Sequence, residues 1–250
     1  MRSLFHGALG IMLLGAAPAA LAQGTPPAPL TRFVSEFEGA ANRRDVKAVL
    51  ALYAPEFRHR DGYDRQSLGT YLEQLWTRFP NLTSRTEVLS WQPQGNGWSV
   101  ETRTTLQGTE TLQDRPFTLK ATLRSRQYLE QGRILRQETL AEESQLSAGR
   151  QPPAVTVQLP PTVRVGQPFA FDVILQEPLR GEQALGSAQV EPVKPAQYFR
   201  PTPLNLEVLP SGGLFKVGKA PALPQDQWLS ALVVRGEGMI LVSRRLVVRP

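Results

Sequence analysis

The chain has 250 residues and no cysteine, and 28 Lys and Arg against 22 Asp and Glu give a formal charge of +6. Without thiols there are no disulfides, thiolate metal sites, catalytic cysteine or lipid attachment at cysteine. The cations are interleaved with acids, as at Arg124, Arg126 and Glu130 or Arg136 and Glu138; this allows some attraction to anionic surfaces and argues against a nucleic-acid protein.

Residues 1–22 read as a cleaved secretory signal peptide. Arg2 gives a positive start, Leu4 to Leu14 an apolar run, and Ala20-Leu21-Ala22 a small-x-small cleavage site before Gln23. That run is too short to span a bilayer, and no later stretch approaches the ~18 apolar residues of a membrane helix. The expectation is an extracytoplasmic protein, periplasmic or secreted. Residues 23–29 follow as a proline-rich lead-in.

Leu30, Phe33, Val34, Phe37 and Ala41 recur with helical spacing and predict a helix to about Asn42. Asp45 is placed to cap a second helix with Val46, Val49, Leu50 and Tyr53 on its apolar face, ended by Pro55. Phe57 to Asp61 reads as a short strand with Phe57, His59 and Asp61 on one side. Asp64 then caps a third helix carrying Leu68, Tyr71, Leu72, Leu75, Trp76 and Phe79. Beyond Pro80 the period changes to two. Strands are expected over 82–91, 98–106, 117–123 and 134–140, with turns at Gly95-Asn96-Gly97, Gly108 and Gly132.

Residues 147–153 (Ser-Ala-Gly-Arg-Gln-Pro-Pro) have linker composition, and beyond them about seven short strands, from Val155-Val157 to Met239–Val248, imply a β-sandwich. The expected fold is an α+β cone, three N-terminal helices wrapped by a curved antiparallel sheet over residues 30–146, followed by an all-β immunoglobulin-like sandwich over 154–250. The phrase Val163-Arg164-Val165-Gly166-Gln167-Pro168-Phe169 resembles the start of bacterial envelope domains of that type.

The order helix, helix, short strand, helix, four-strand meander, together with Ala41-Asn42-Arg43-Arg44-Asp45 and Leu52-Tyr53-Ala54-Pro55-Glu56-Phe57, resembles the nuclear transport factor 2-like superfamily. Its members include ketosteroid isomerase, scytalone dehydratase and the SnoaL-type polyketide cyclases. The resemblance covers about residues 30–145 and implies a cone-shaped pocket that serves enzymes, carriers and protein-binding modules alike. It puts Asp61 where the isomerases carry their general base, with His59 beside it as an assisting acid or base. The departures weigh against that chemistry. Phe37 stands where the isomerases have a tyrosine oxyanion donor, and Leu119 to Arg126 hold no aspartic acid to complete the donor pair. Losing one such donor lowers a rate ~10² to 10³-fold.

Read from the residues alone, Arg60-Asp61-Gly62-Tyr63 is also good turn chemistry, so Asp61 is either a turn residue or a pocket residue. Pocket candidates are Tyr53, Phe37, Trp76, Trp98, Arg103 and Gln137, aromatic and polar residues whose pattern allows them to line a cone. There is no phosphate loop, HExxH, GxSxG or metal-ligand cluster, so neither a cofactor nor a metal is expected. The leading expectation is an exported, non-enzymatic protein whose cone binds a small apolar ligand or an envelope protein, with the sandwich as spacer or interaction module. The alternatives are an isomerase or cyclase-like lyase with Asp61 as base, and a structural or assembly factor. The sequence leaves oligomerisation open.

Overall fold

The computed structural model describes residues 24–198, 204–209 and 212–250; the signal-peptide reading of residues 1–22 lies outside the described residues. Helix α1 (Ala28–Asn42) starts at a proline-rich cap and buries Leu30, Phe33 and Ala40. Helix α2 (Val46–Ala51) is capped as expected, the Asp45 carboxylate accepting the Ala48 amide at 2.9 Å. It ends earlier than the periodicity implied. Tyr53 belongs to strand β1 (Tyr53–His59), because Pro55 pushes the residue before it out of helical geometry. Helix α3 (Arg65–Arg78) is capped by Asp64, which accepts both the amide and the hydroxyl of Ser67.

The meander is built from strands much longer than expected: β2 (Thr83–Gln94), β3 (Gly97–Leu112), β4 (Arg115–Glu130) and β5 (Arg133–Gly149). The turn foreseen at Gly108 is instead made by Gln113 and Asp114, both at positive φ (49° and 61°). Gly108 sits inside β3, where a Cβ would meet the Leu82 side chain at 3.0 Å; glycine there allows a close approach.

The second half contains β6 (Val155–Gln158), β7 (Thr162–Arg164), β8 (Pro168–Leu175), β9 (Ala184–Pro192), a 3-10 turn (Pro195–Gln197), β10 (Glu207–Val208), β11 (Gly213–Lys219), β12 (Gln227–Arg235) and β13 (Gly238–Arg249). These strands do not form a separate unit. One ten-stranded, largely antiparallel sheet runs β10-β9-β12-β13-β5-β4-β3-β2 through both halves, with β1 on β5 and β7 on β13. A three-stranded sheet, β11-β8-β6, covers one face of its second half.

The expected three-helix α+β cone followed by an independent immunoglobulin-like sandwich is therefore overturned. Strands make up 56% of the described residues and helices only 17%, because the sheet that backs the helices simply continues. The physical reason lies in β5. Its first residues, Ile134 to Gln137, pair with β1, while on the same edge Glu143 to Gly149 pair with β13. An edge with free backbone groups after β1 is completed by β13, so Ser147 to Gly149, which have linker composition, are ladder residues.

Two apolar cores flank this shared sheet. Phe57 and Ile134, both 0% exposed, centre the first with Phe33, Tyr53, Trp76, Val100 and Leu129. Leu229, Val173, Leu246 and Val248 centre the second. A sheet common to both should couple them. Leu229→Ala, at a fully buried second-core site, should lower stability by about 2–5 kcal/mol. Calorimetry and tryptophan fluorescence should report the same single transition, lowered as a whole, and two separated transitions would contradict the shared-sheet fold.

Candidate functional site

The turn that follows β1 builds the site. The His59 amide donates to the Tyr63 carbonyl and the Gly62 amide to the His59 carbonyl, both at 2.9 Å, with Gly62 at φ 97°, a conformation open to glycine. The Arg60 amide donates to the Gln137 carbonyl at 2.9 Å, prolonging the β1–β5 pairing by one residue. The turn folds Asp61 back over the buried His59, and the Asp61 amide donates to His59 Nδ1 at 3.1 Å. With Nδ1 accepting, the neutral imidazole carries its proton on Nε2 and donates to Thr139 Oγ1 at 3.3 Å.

The Asp61 carboxylate meets a residue from the far end of the chain. Arg245 of β13, its side chain 0% exposed, grips it with both terminal nitrogens: Nη1 to Oδ1 at 3.1 Å and Nη2 to Oδ2 at 2.8 Å. The Tyr198 hydroxyl donates to the same Oδ2 at 2.8 Å. Arg245 also reaches Glu142 Oε2 (3.1 Å) and Asp226 Oδ2 (3.3 Å). Each of these two carboxylates has a neutral donor as well. Trp228 Nε1 donates to Glu142 at 3.0 Å and the Val248 amide to Asp226 at 3.0 Å.

An aromatic stack walls the cluster. His59 lies parallel to Tyr63 (4.2 Å between ring centres), Tyr63 meets Tyr71 edge-on, and Tyr71 stacks on Tyr198 at 5.0 Å. Tyr198 in turn meets Trp228 edge-on at 4.9 Å. The Tyr71 hydroxyl donates to the Pro195 carbonyl at 3.1 Å. Helix α3, the turn after β1, the segment around residue 195, β12 and β13 therefore converge on one point.

Electrostatics follow from burial. Burial alone would raise the Asp61 pKa, but the hydrogen bonds and charge of Arg245, helped by His59 and Tyr198, outweigh it and hold the carboxyl below its ordinary 3.8. Burial pushes the His59 imidazole down to about 4; Asp61 opposes this in part and Arg245 adds to it. Burial together with the nearby carboxylates holds the Tyr63 and Tyr198 hydroxyls protonated, well above their usual range.

Among the residues expected to form a site, Asp61 and His59 do lie together. Tyr53 and Gln137 also meet, the tyrosine hydroxyl donating to Gln137 Oε1 at 3.4 Å, and Phe37 packs against Tyr53 at 6.4 Å between ring centres. Trp76 is buried in the first core, and Trp98 packs half-buried against it. Arg103 stands apart. It is on the opposite face of β3 from the buried Val100 and Thr102, paired with Glu87 at 2.9 Å and 49% exposed. Among the described residues no group of three or more His, Asp or Glu is placed to hold a metal ion, and no helix is long and apolar enough to cross a membrane.

Arg245, Glu142, Asp226, Tyr198 and Trp228 were not singled out from the sequence. One signal was available for Arg245: two arginines interrupt the apolar run Met239 to Val248, and one of them sits on a strand position with buried neighbours. A buried arginine requires a carboxylate partner.

Comparison with known proteins adds little about chemistry. A family profile described as a domain of unknown function (DUF8623) matches residues 150–249, and a search of curated proteins finds no match. Solved structures with similarity include a loop-truncation variant of IdmH (21% identity, 44% of this chain and 90% of that one, TM-score 0.34). A provisionally assigned scytalone dehydratase from Novosphingobium aromaticivorans has 12% identity over 44% of this chain and 80% of its own, with TM-score 0.37. A provisionally assigned polyketide cyclase from Bacillus cereus has 14% identity over 46% and 74%, with TM-score 0.35. These neighbours are of the nuclear transport factor 2-like kind and span less than half of the chain. At such scores they carry no argument about function.

The lowered His59 pKa has a direct consequence for stability. Unfolded, the ring takes up a proton near its ordinary 6.5; folded, it does so only near 4. Between those values the unfolded state binds more protons, so stability falls as pH drops from about 6.5 to about 4, by roughly 3 kcal/mol at most. The depressed Asp61 pKa adds a further loss at pH below 3.8. Denaturant titrations across this range should show the loss, and His59→Gln should flatten the segment above pH 4; an unchanged slope would contradict a buried neutral imidazole.

Proposed function

We propose that the protein is an exported, non-enzymatic binding protein whose first half carries the recognition surface and whose second half holds it in one shape. The observation that carries this reading is the occupation of Asp61. A general base needs a free lone pair within reach of a substrate proton and a pKa near the working pH. Asp61 instead accepts two bonds from Arg245 and one from Tyr198, is 6% exposed at its side chain, and is held below its ordinary pKa. His59, pushed down to about 4, is neutral near pH 7, and its two ring nitrogens are engaged by the Asp61 amide and Thr139.

Packing also bears on what is bound. Phe57 and Ile134 are 0% exposed, Val100 2%, Leu129 3% and Tyr53 5%, so side chains fill the region where a small apolar ligand would sit. A polar ligand or a protein partner at the surface agrees better with this filling. The second half could add a contact of its own for such a partner, beyond holding the first half in shape, because Phe215 is 56% and Val217 84% exposed on an edge strand. Export rests on residues 1–22 and is part of the same proposal.

The discriminating experiment is proton abstraction. The mature chain, incubated in deuterium oxide with a panel of enolisable ketones, should produce no exchange of α-protons above buffer. Exchange that disappears on Asp61→Asn would support the rival isomerase or lyase and overturn the binding reading.

A further inference from the structure

The face of the sheet turned away from the helices carries two cross-strand rows of side chains. In one row Arg124, Glu101, Arg126, Glu138 and Arg60 alternate in charge and are joined by ion pairs of 2.6, 2.6, 2.9 and 3.2 Å. Every member is partnered. The adjacent row runs Ser99, Tyr128, Arg136, Arg58 across β3, β4, β5 and β1. Here two arginines occupy paired positions on the neighbouring parallel strands β1 and β5, and among the described residues neither has a carboxylate within 4.0 Å.

The environment fixes both arginines without neutralising them. Arg136 lies over the Tyr128 ring at 4.8 Å, and Arg58 Nη1 donates to the Phe57 carbonyl at 2.8 Å. Asp64 faces Arg58 across a strand bridge, but its carboxylate is lowered chiefly by the Ser67 hydrogen bonds and only secondarily by Arg58. Two neighbouring cations without an opposing carboxylate repel one another. The two arginines, with Tyr128, Ser99 and the end of the charge row, line a basin of ≈ 370 Å³. An oxyanion lying between them would remove the repulsion and accept paired N–H bonds from planar forks.

We propose that this basin binds the oxyanion group of a small ligand, a carboxylate or a phosphate, between Arg58 and Arg136. The inference names a ligand class for the binding reading above and rests on it. Stacking on Tyr128 holds the Arg136 plane ready, and Ser99 and the Tyr128 edge offer hydroxyl contacts to the rest of the ligand. The overall charge of +6 favours the approach of an anion.

The test uses the full mature chain at pH 7.5 and constant ionic strength, titrated separately with inorganic phosphate, with acetate and with chloride as control. Phosphate, acetate or both should raise the melting temperature where chloride does not, and the stronger arm identifies the oxyanion. Arg58→Gln and Arg136→Gln should each weaken the response roughly tenfold to a hundredfold. Arg136→Lys, which keeps the charge but not the fork, should recover only part of it. These exposed positions are outside both cores, so the variants remain folded. An anion response no larger than that of chloride, or one retained by the Arg58→Gln/Arg136→Gln double variant, overturns the proposal. An anion response accompanied by Asp61-dependent exchange would remove the non-enzymatic reading alone; no response and no exchange would remove the oxyanion site alone.

Discussion

The Arg245–Asp61 ion pair is the interaction on which the arrangement of this molecule depends. A guanidinium with no exposed side-chain surface is tolerated only when its donors are satisfied and its charge is opposed. Arg245 meets that condition with carboxylates drawn from three places: the turn after β1, the middle of β5 and the residue just before β12. Those segments are far apart in sequence, so satisfying one side chain fixes the first and second halves against each other. The aromatic stack from His59 to Trp228 walls that point, where the side chains of Arg245, Asp61 and Asp226 are buried and charge and hydrogen bonds act more strongly than in water.

Strand β5 gives this contact its geometry. Because β1 and β13 share one edge of β5, the end of β1 and the neighbourhood of Arg245 come together where the two partners change over. A bulge lies in the same stretch, where the register with β4 shifts between Arg124 and Ser125. Such an extra residue re-aims the strand and brings both Thr139 and Glu142 to the helix side, where they meet His59 and Arg245. The same pairing that makes the sheet continuous thus brings Arg245 onto a carboxylate at an expected catalytic position, the contact on which the proposed non-catalytic reading rests.

Local features of the fold were legible in the sequence: the caps at Asp45 and Asp64, the helical stripes, and the turn at Arg60 to Tyr63 all rest on interactions within a few residues. The continuous sheet was not. Glu142, Ser144, Leu146 and Ala148 extend the alternation of β5, but glycine and proline just after them give the same stretch the composition of a linker. Strand pairing across about a hundred residues leaves no local mark. Asp61 was equally ambiguous, because both a base and an anchor need a carboxylate beside His59. The feature that favours the anchor, the contact with Arg245, lies 184 residues later. The outer face followed a similar course: Arg103 and Gln137 have the same polar character, and the parity that puts one outside and the other beside Tyr53 is set by register.

An anchored Asp61 makes a clear statement about its ionisation, and carbon NMR of the carboxyl group measures it. With Arg245 in place the resonance should remain that of a carboxylate to pH below 3.8, since the guanidinium outweighs burial. In Arg245→Met the guanidinium is gone, burial is opposed only by His59 and Tyr198, and the midpoint should rise. An Asp61 that titrates at or above 3.8 in the native chain, or whose midpoint is the same in both proteins, would contradict the account.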